Sequence, residues 1–234
     1  MEFGYWGLKG AGETIRWLIG YLGLQVKEYN PASREEWFDT KKGSLGLDFP
    51  NLPYLIDGDF KITESGAIPY YLIHKSGKTE LLGKDFKEQA VVRELEGVLG
   101  DIRQAVSKIF WAPENHAAEF AKATGAGSSV ATKIEQLSKF LGNKDFFLGH
   151  LTWADFVFAY IAENIWAASL SLGAECPVCK HENLGKLVKR VKELPGIKER
   201  VEKAKAIPYA PPAYLKFTLL TAQEAEAKHA AAKK

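Results

Sequence analysis

Residues 49–68, FPNLPYLIDGDFKITESGAI, leave a chain few ways to fold. Asn51-Leu52-Pro53 sets a proline at the start of an apolar run, and a leucyl-prolyl bond is of the one kind that is held cis at little cost, turning the backbone of Leu52 toward a ligand's own backbone. Tyr54, Leu55 and Ile56 read as a strand, Asp57-Gly58 is a strong hairpin signal, and residues 60–63 pair back. Glu64 and Ser65 then open a helix, whose free N–H groups favour a carboxylate. The order is rigid turn, strand, tight turn, strand, helix. It sets a peptide-binding edge beside an anion-binding helix start, and one small anionic peptide spans both.

The same alternation runs back to the N-terminus. Residues 3–6 read as a short strand, residues 13–21 carry Ile15, Leu18 and Ile19 at helical spacing, residues 24–29 form a second strand and residues 33–39 a short polar helix. Together they give a βαβαββα order, an α/β thioredoxin-like domain over residues 1–78, broken at Ser76-Gly77-Lys78. An all-α domain follows over residues 84–220. Val91 or Val92, Leu95, Leu99, Ile102, Val106 and Phe110 line one face of a long helix that Pro113 ends or kinks. A loop at 125–129 precedes a helix at 133–141. Thr152 with Asp155 forms a box-like N-cap pair, and Leu151 with Phe156 has the spacing of a hydrophobic staple. The helix they open runs through Trp166 and is the expected centre of the domain. Helices at 184–192 and 197–204 flank Pro195, and Pro208, Pro211 and Pro212 make the next stretch extended. The tail, 221–234, is alanine-rich with good helix propensity and little to bury. Alone it frays, so a partner protein is expected to hold it.

Composition removes several function classes. With 31 basic and 29 acidic residues, the chain has no footprint for nucleic acid and no polybasic anchor. No run of eighteen apolar residues exists, so membrane insertion is not expected. Strand-like residues directly after Met1 leave no room for a signal peptide, so the expected address is cytoplasmic, with an organelle such as the mitochondrion as the alternative. His74, His116, His150, His181 and His229 are widely separated, and no metal is expected. Cys176 and Cys179 form CPVC near His181; three candidate ligands fall short of a structural zinc site, and the pair sits too late for a thioredoxin-type redox turn, so a loop with two free thiols is expected.

The segment GYWGLKG at 4–10, LGLDFPNLPYLIDG at 45–58 and LTWADF at 151–156 resemble the glutathione transferases, with the mu class nearest. The resemblance covers nearly the whole chain and is densest over residues 4–75. It implies attack of the glutathione sulfur on a hydrophobic electrophile. A free thiol is mostly protonated at neutral pH, so the reaction needs a hydrogen-bond donor that stabilises the thiolate. Tyr5 stands at that position; read without the motif, it is a strand aromatic packing inward. By resemblance Trp6, Trp37, Lys41 and Asn51 contact the glycyl end of glutathione, Leu52 and Pro53 the cysteinyl backbone, and Glu64 with Ser65 the γ-glutamyl end. Asp101 aligns with an aspartate that reaches the neighbouring subunit's glutathione, or is a solvated helix acid.

Phe49 matches an aromatic key that inserts into the partner of a homodimer. Leu8, Trp111 and residues near Tyr209 and Tyr214 line the electrophile pocket, or serve as core and interface aromatics. The chain also departs from the mu pattern. Glu64 replaces a glutamine, and Trp111 stands where a second tyrosine is common. The loop between Tyr29 and Trp37 is short, and Pro69 is expected to remove a hydrogen bond and bend its helix. The expectation is a transferase that uses glutathione and no metal. The alternatives are a noncatalytic subunit of a larger assembly reached through the tail, since fold does not fix function, and a carrier that binds glutathione without turnover.

Overall fold

The computed structural model describes residues 1–110, 115–210 and 219–232, with the backbone alone for Phe110. Trp111, Pro113, Pro211, Pro212 and Tyr214 lie outside the described residues. The N-terminal part is a four-stranded mixed sheet in the order β2-β1-β3-β4. β1 (Glu2–Gly4) pairs parallel with β2 (Lys27–Tyr29) and antiparallel with β3 (Tyr54–Asp57), setting Phe3 opposite Glu28 and Leu55. β3 turns into β4 (Phe60–Thr63) through a two-residue loop in which Gly58 takes φ +60°, the left-handed conformation that glycine supplies without steric cost. Between β1 and β2 runs α1 (Glu13–Leu22), closed by left-handed Gly23. A wide-turn helix, Glu36–Lys41, continues into α2 (Lys42–Ser44).

α3 (Ala67–Ser76) starts later than the sequence predicts, and this corrects the expected effect of Pro69. Pro69 occupies the third helical position, within the first turn, where backbone donors lack helical partners in any case. The helix is continuous from Ala67 to Ser76. Gly77, at φ +75°, closes it where the break was expected.

The remainder is helical. α4 (Phe86–Phe110) buries Val92, Leu95, Leu99, Ile102 and Val106 of the expected stripe, and buries Ile109 as well. α5 (His116–Thr124) was not expected, and α6 (Ser129–Leu141) begins before residue 133 because Ser128 caps it by accepting from the Ala131 N–H at 3.1 Å. α7 (Trp153–Leu172) is the buried centre, longer than predicted, and the box at its start is complete. Asp155 Oδ2 accepts from the Thr152 N–H at 2.7 Å and hydroxyl at 2.8 Å, while Oδ1 accepts from the Phe147 N–H at 2.9 Å. α8 (Glu182–Lys192) and α9 (Ile197–Lys203) follow.

Two further expectations are corrected. Cys176 and Cys179 are joined in a disulfide at the turn between α7 and α8, not held as free thiols. The tail does bury apolar surface: α10 (Ala222–Ala231) is capped by a Thr221–Glu224 box and packs Ala222 and Ala225 into the core. Lys228 Nζ donates to the Leu170 carbonyl at 2.6 Å and Lys205 pairs with Glu226 at 3.2 Å, so contacts within the chain account for its order. No helix among the described residues is long and apolar enough to cross a membrane.

Candidate functional site: a tyrosine-lined cleft between sheet and helices

Tyr5 lies just past the end of β1, held there by a 3.0 Å bond from its N–H to the Tyr29 carbonyl. Its ring is packed between the glycines of the next turn: a Cβ on Gly12 would come 2.5 Å from Tyr5 Cδ1, and one on Gly10 would come 2.5 Å from the Tyr5 oxygen. Both positions therefore need glycine. The hydroxyl accepts from the Ala11 N–H at 2.9 Å and donates to no described residue, so its proton is available to a ligand. Burial raises the Tyr5 pKa above the ordinary value, against the opposing Ala11 N–H and the charges of Arg16 and Arg103. Tyr5 thus remains a neutral donor at physiological pH, the form that a thiolate needs.

Tyr5 opens into a cavity of about 810 Å³. Leu8, Tyr160, Ile161, Tyr209 and Ala210 form its apolar wall, and Gly100, Arg103, Gln104, Ser107 and Lys108 of α4 line the other side. A second cavity of about 310 Å³ shares Ala11, Arg103 and Tyr160 with it and reaches Ser65 and Gly66 at the start of α3. The two features separated by 60 residues in the chain therefore flank one cleft. Glu64 takes φ 77°, a left-handed conformation uncommon for a residue with a side chain and concentrated at ligand-binding positions. Asn51 Oδ1 accepts from the Leu52 N–H at 2.9 Å, Asn51 Nδ2 donates to Glu64 Oε1 at 3.4 Å, and the Leu52–Pro53 bond is cis as the sequence predicts.

Other expected residues are placed less directly. Trp37 is packed, 2% exposed and stacked on Tyr54 with ring centres 6.1 Å apart, and half-buried Trp6 packs beside them. Lys41 Nζ lies 4.9 Å over the Tyr29 ring. Asp101 is exposed and pairs with Lys133 at 2.8 Å, bordering a separate groove and not the Tyr5 cleft of its own chain. Phe49 is 78% exposed.

Charged residues that the sequence did not single out fix the loop that carries Tyr5. Arg16 donates to the carbonyls of Trp6 at 3.0 Å and Leu8 at 2.7 Å, and its Nε donates to Glu28 at 2.6 Å. Buried Glu13 accepts from Arg200 of α9 at 2.6 and 2.9 Å and from the Trp17 indole at 3.2 Å. Lys9 donates to Glu163 of α7 at 2.8 Å, beside a 2.7 Å bond from the Tyr209 hydroxyl to the same oxygen, and Lys192 of α8 holds the other oxygen at 2.7 Å. Burial pushes the Glu163 carboxyl up, but Lys192 and Lys9 together outweigh it and bring the pKa down to about 2.

Residues 1–74 match the family model of the glutathione S-transferase N-terminal domain and residues 100–204 that of the C-terminal domain. Glutathione S-transferase 2 of Gallus gallus is 34% identical over 206 residues, covering 84% of this chain and 87% of the relative. The chain belongs to the glutathione S-transferase family. Glutathione S-transferase Mu 1 of Bos taurus is 36% identical over 166 residues, 67% of this transferase and 72% of that relative. Among solved structures, the glutathione S-transferase Blo t 8 superposes with a TM-score of 0.79 at 28% identity, covering 93% of this chain and 99% of its own. The transferase fold, a thioredoxin-like domain joined to a helical one, and the glutathione-conjugating reaction class follow from this kinship.

Proposed function

We propose that this chain conjugates the thiolate of glutathione to hydrophobic electrophiles, with Tyr5 as the catalytic hydrogen-bond donor to sulfur. The observation that carries the reading is the Tyr5 hydroxyl: it borders a cleft of ligand size, its oxygen is polarised by the Ala11 N–H, and it donates to no described residue. Donating that proton's hydrogen bond stabilises the anionic sulfur and lowers the thiol pKa, which raises the fraction of nucleophile at neutral pH. Glutathione lies along the edge from Trp6 and Lys41 through Asn51 and the Leu52 backbone to Glu64 and Ser65, its γ-glutamyl carboxylate at the N-terminus of α3. Trp37 stiffens this edge through its stack on Tyr54. Leu8, Tyr209 and Ile161 take the apolar body of the electrophile.

A homodimer completes the reading. Phe49, a large apolar side chain left in solvent, is the key that enters the partner, and Asp101 reaches the partner's glutathione. The division at residues 78 and 84 and a cytoplasmic address are kept on the mu-class kinship. Of the features that favour the assembly-subunit alternative, the ordered tail no longer calls for a partner, since α10 makes contacts with its own chain.

The test is conjugation of 1-chloro-2,4-dinitrobenzene by wild type and Tyr5→Phe, which keeps the packed ring. A fall of at least tenfold in kcat/KM, about 1.4 kcal/mol of transition-state stabilisation, with the pH–rate profile displaced upward, is expected. An equal rate and unmoved profile reject Tyr5 as the donor. No rate above background in wild type rejects the enzyme.

A further inference from the structure

Along α4, positions 100, 103, 104, 107 and 108 follow the i, i+3, i+4, i+7, i+8 spacing of one helical face, adjacent to the buried stripe. In a pocket for purely apolar electrophiles this face would be apolar. Here it is Gly, Arg, Gln, Ser and Lys, and Asn164 of α7 adds another amide. The charged residues lining the cavity are Arg103 and Lys108, both cations, with no Asp or Glu among the described lining residues. Neither cation makes a hydrogen bond or ion pair with a described residue. Buried Glu163, which accepts from Tyr209 of the cavity wall, is already neutralised by Lys9 and Lys192. On its far side Lys108 borders a groove holding Asp101 and Glu119 together with Lys122 and Lys133, and Asp101 is bound to Lys133.

We infer that the electrophile of this enzyme carries an anionic group, a carboxylate in the simplest case, on an apolar body. This rests on the transferase reading above and names the substrate class for the same cleft. The apolar wall of Leu8, Tyr209 and Ile161 takes the body, and Lys108 takes the acid. Arg103 stands at the junction with the Ser65 cavity, and its charge acts on the Tyr5 oxygen. Lys108 lies five residues on, about 7.5 Å along the helix axis, a distance that one substituted aromatic ring bridges. Two cations without a partner among the described residues, in a half-enclosed cleft, attract a carboxylate more strongly than the same charges in open water. They also spare it the cost of burial without a partner.

The experiment compares 4-chloro-3-nitrobenzoate with its methyl ester, equal in shape near the ring and different in charge. In both, the glutathione thiolate attacks the ring carbon bearing chlorine, a C–S bond forms, and chloride leaves with the electron pair. The thiol proton passes to solvent, and the carboxylate takes no part. Each kcat/KM is divided by the uncatalysed rate constant, which removes the difference in intrinsic reactivity. A normalised preference for the acid of about tenfold is expected in wild type, falling at least fivefold in Lys108→Met, reversing in Lys108→Glu and shrinking as salt is raised. Turnover of the ester as readily as the acid, or an unchanged ratio in Lys108→Met, overturns the inference and leaves the transferase intact. If neither compound is consumed, the rate with 1-chloro-2,4-dinitrobenzene decides whether the transferase reading has failed, and calorimetric binding of the two premade glutathione conjugates decides the inference. Tighter binding of the acid conjugate that weakens in Lys108→Met sustains the inference; equal binding or none overturns it.

Discussion

Replacing Glu163 by glutamine keeps the shape of the side chain and removes one buried negative charge, which isolates what that charge does. Glu163 is 3% exposed and is the common acceptor for Lys9, Tyr209 and Lys192. Its pKa falls from an ordinary 4.5 to about 2, which at about 1.4 kcal/mol per tenfold change in proton affinity amounts to about 3 kcal/mol of folding stability at neutral pH. A folded pKa below the unfolded one stabilises above pH 4.5 and ceases to do so as pH falls from 4.5 toward 2. An independent argument gives the same scale: stranding a buried cation by removing its partner costs about 3–5 kcal/mol, and Lys9 is itself 3% exposed. Urea denaturation at fixed protein concentration should therefore show Glu163→Gln less stable than wild type by about 3 kcal/mol at pH 7. The gap should narrow as the solution is acidified below pH 4.5. Adding Lys9→Met should cost little more, because the stranded charge has gone. A gap under about 1 kcal/mol at pH 7 refutes the argument, as does a gap that stays constant down to pH 3, since the stabilisation would then not depend on ionised Glu163.

Two further outcomes are expected. Gly12→Ala puts a methyl 2.5 Å from the Tyr5 ring and forces the ring to move; kcat/KM for conjugation should fall at least tenfold while the circular dichroism spectrum is kept, and wild-type activity would show that the ring has room. Ending the chain at Leu220 removes α10 with buried Ala222 and Ala225 and the Lys205–Glu226 pair; the cost is about 1–2 kcal/mol, a fall in Tm of roughly 4 °C, and an unchanged Tm would mean that the docked tail adds nothing.

What the sequence made legible is what neighbouring residues decide among themselves. The cis-proline turn, the Asp57-Gly58 hairpin, the Thr152–Asp155 box and the stripe on α4 each lie within a few turns of chain, and each is found where expected. Local signals also failed where they were weak or misread. α5 has one fully buried aromatic, Phe120, and follows a proline, so its periodicity is too short to stand out. The sequence places the start of α6 late because Ser128 reads as loop, whereas its hydroxyl caps the helix. The tail's sequence offers little to bury because alanine carries a small side chain, yet Ala222 and Ala225 are buried where the helix packs against α7.

The buried charges were illegible for a different reason. Lys9 and Glu163 are 154 residues apart, and Glu13 and Arg200 are 187 apart, so no window of sequence contains both partners. Composition registers them only as part of a nearly balanced total. Yet these pairs, with bonds from the Lys9 N–H to the Pro208 carbonyl at 2.8 Å and from the Gly10 N–H to the Tyr209 carbonyl at 2.9 Å, tie the loop after Tyr5 to three helices and to the segment beyond α9. The motif around Tyr5 supplies the proposed donor, but contacts from the helical part of the chain help to set its position. A change at Glu163 or Arg200 should therefore reach the chemistry without touching a ligand, by loosening the backbone that Arg16 and Lys9 hold in place.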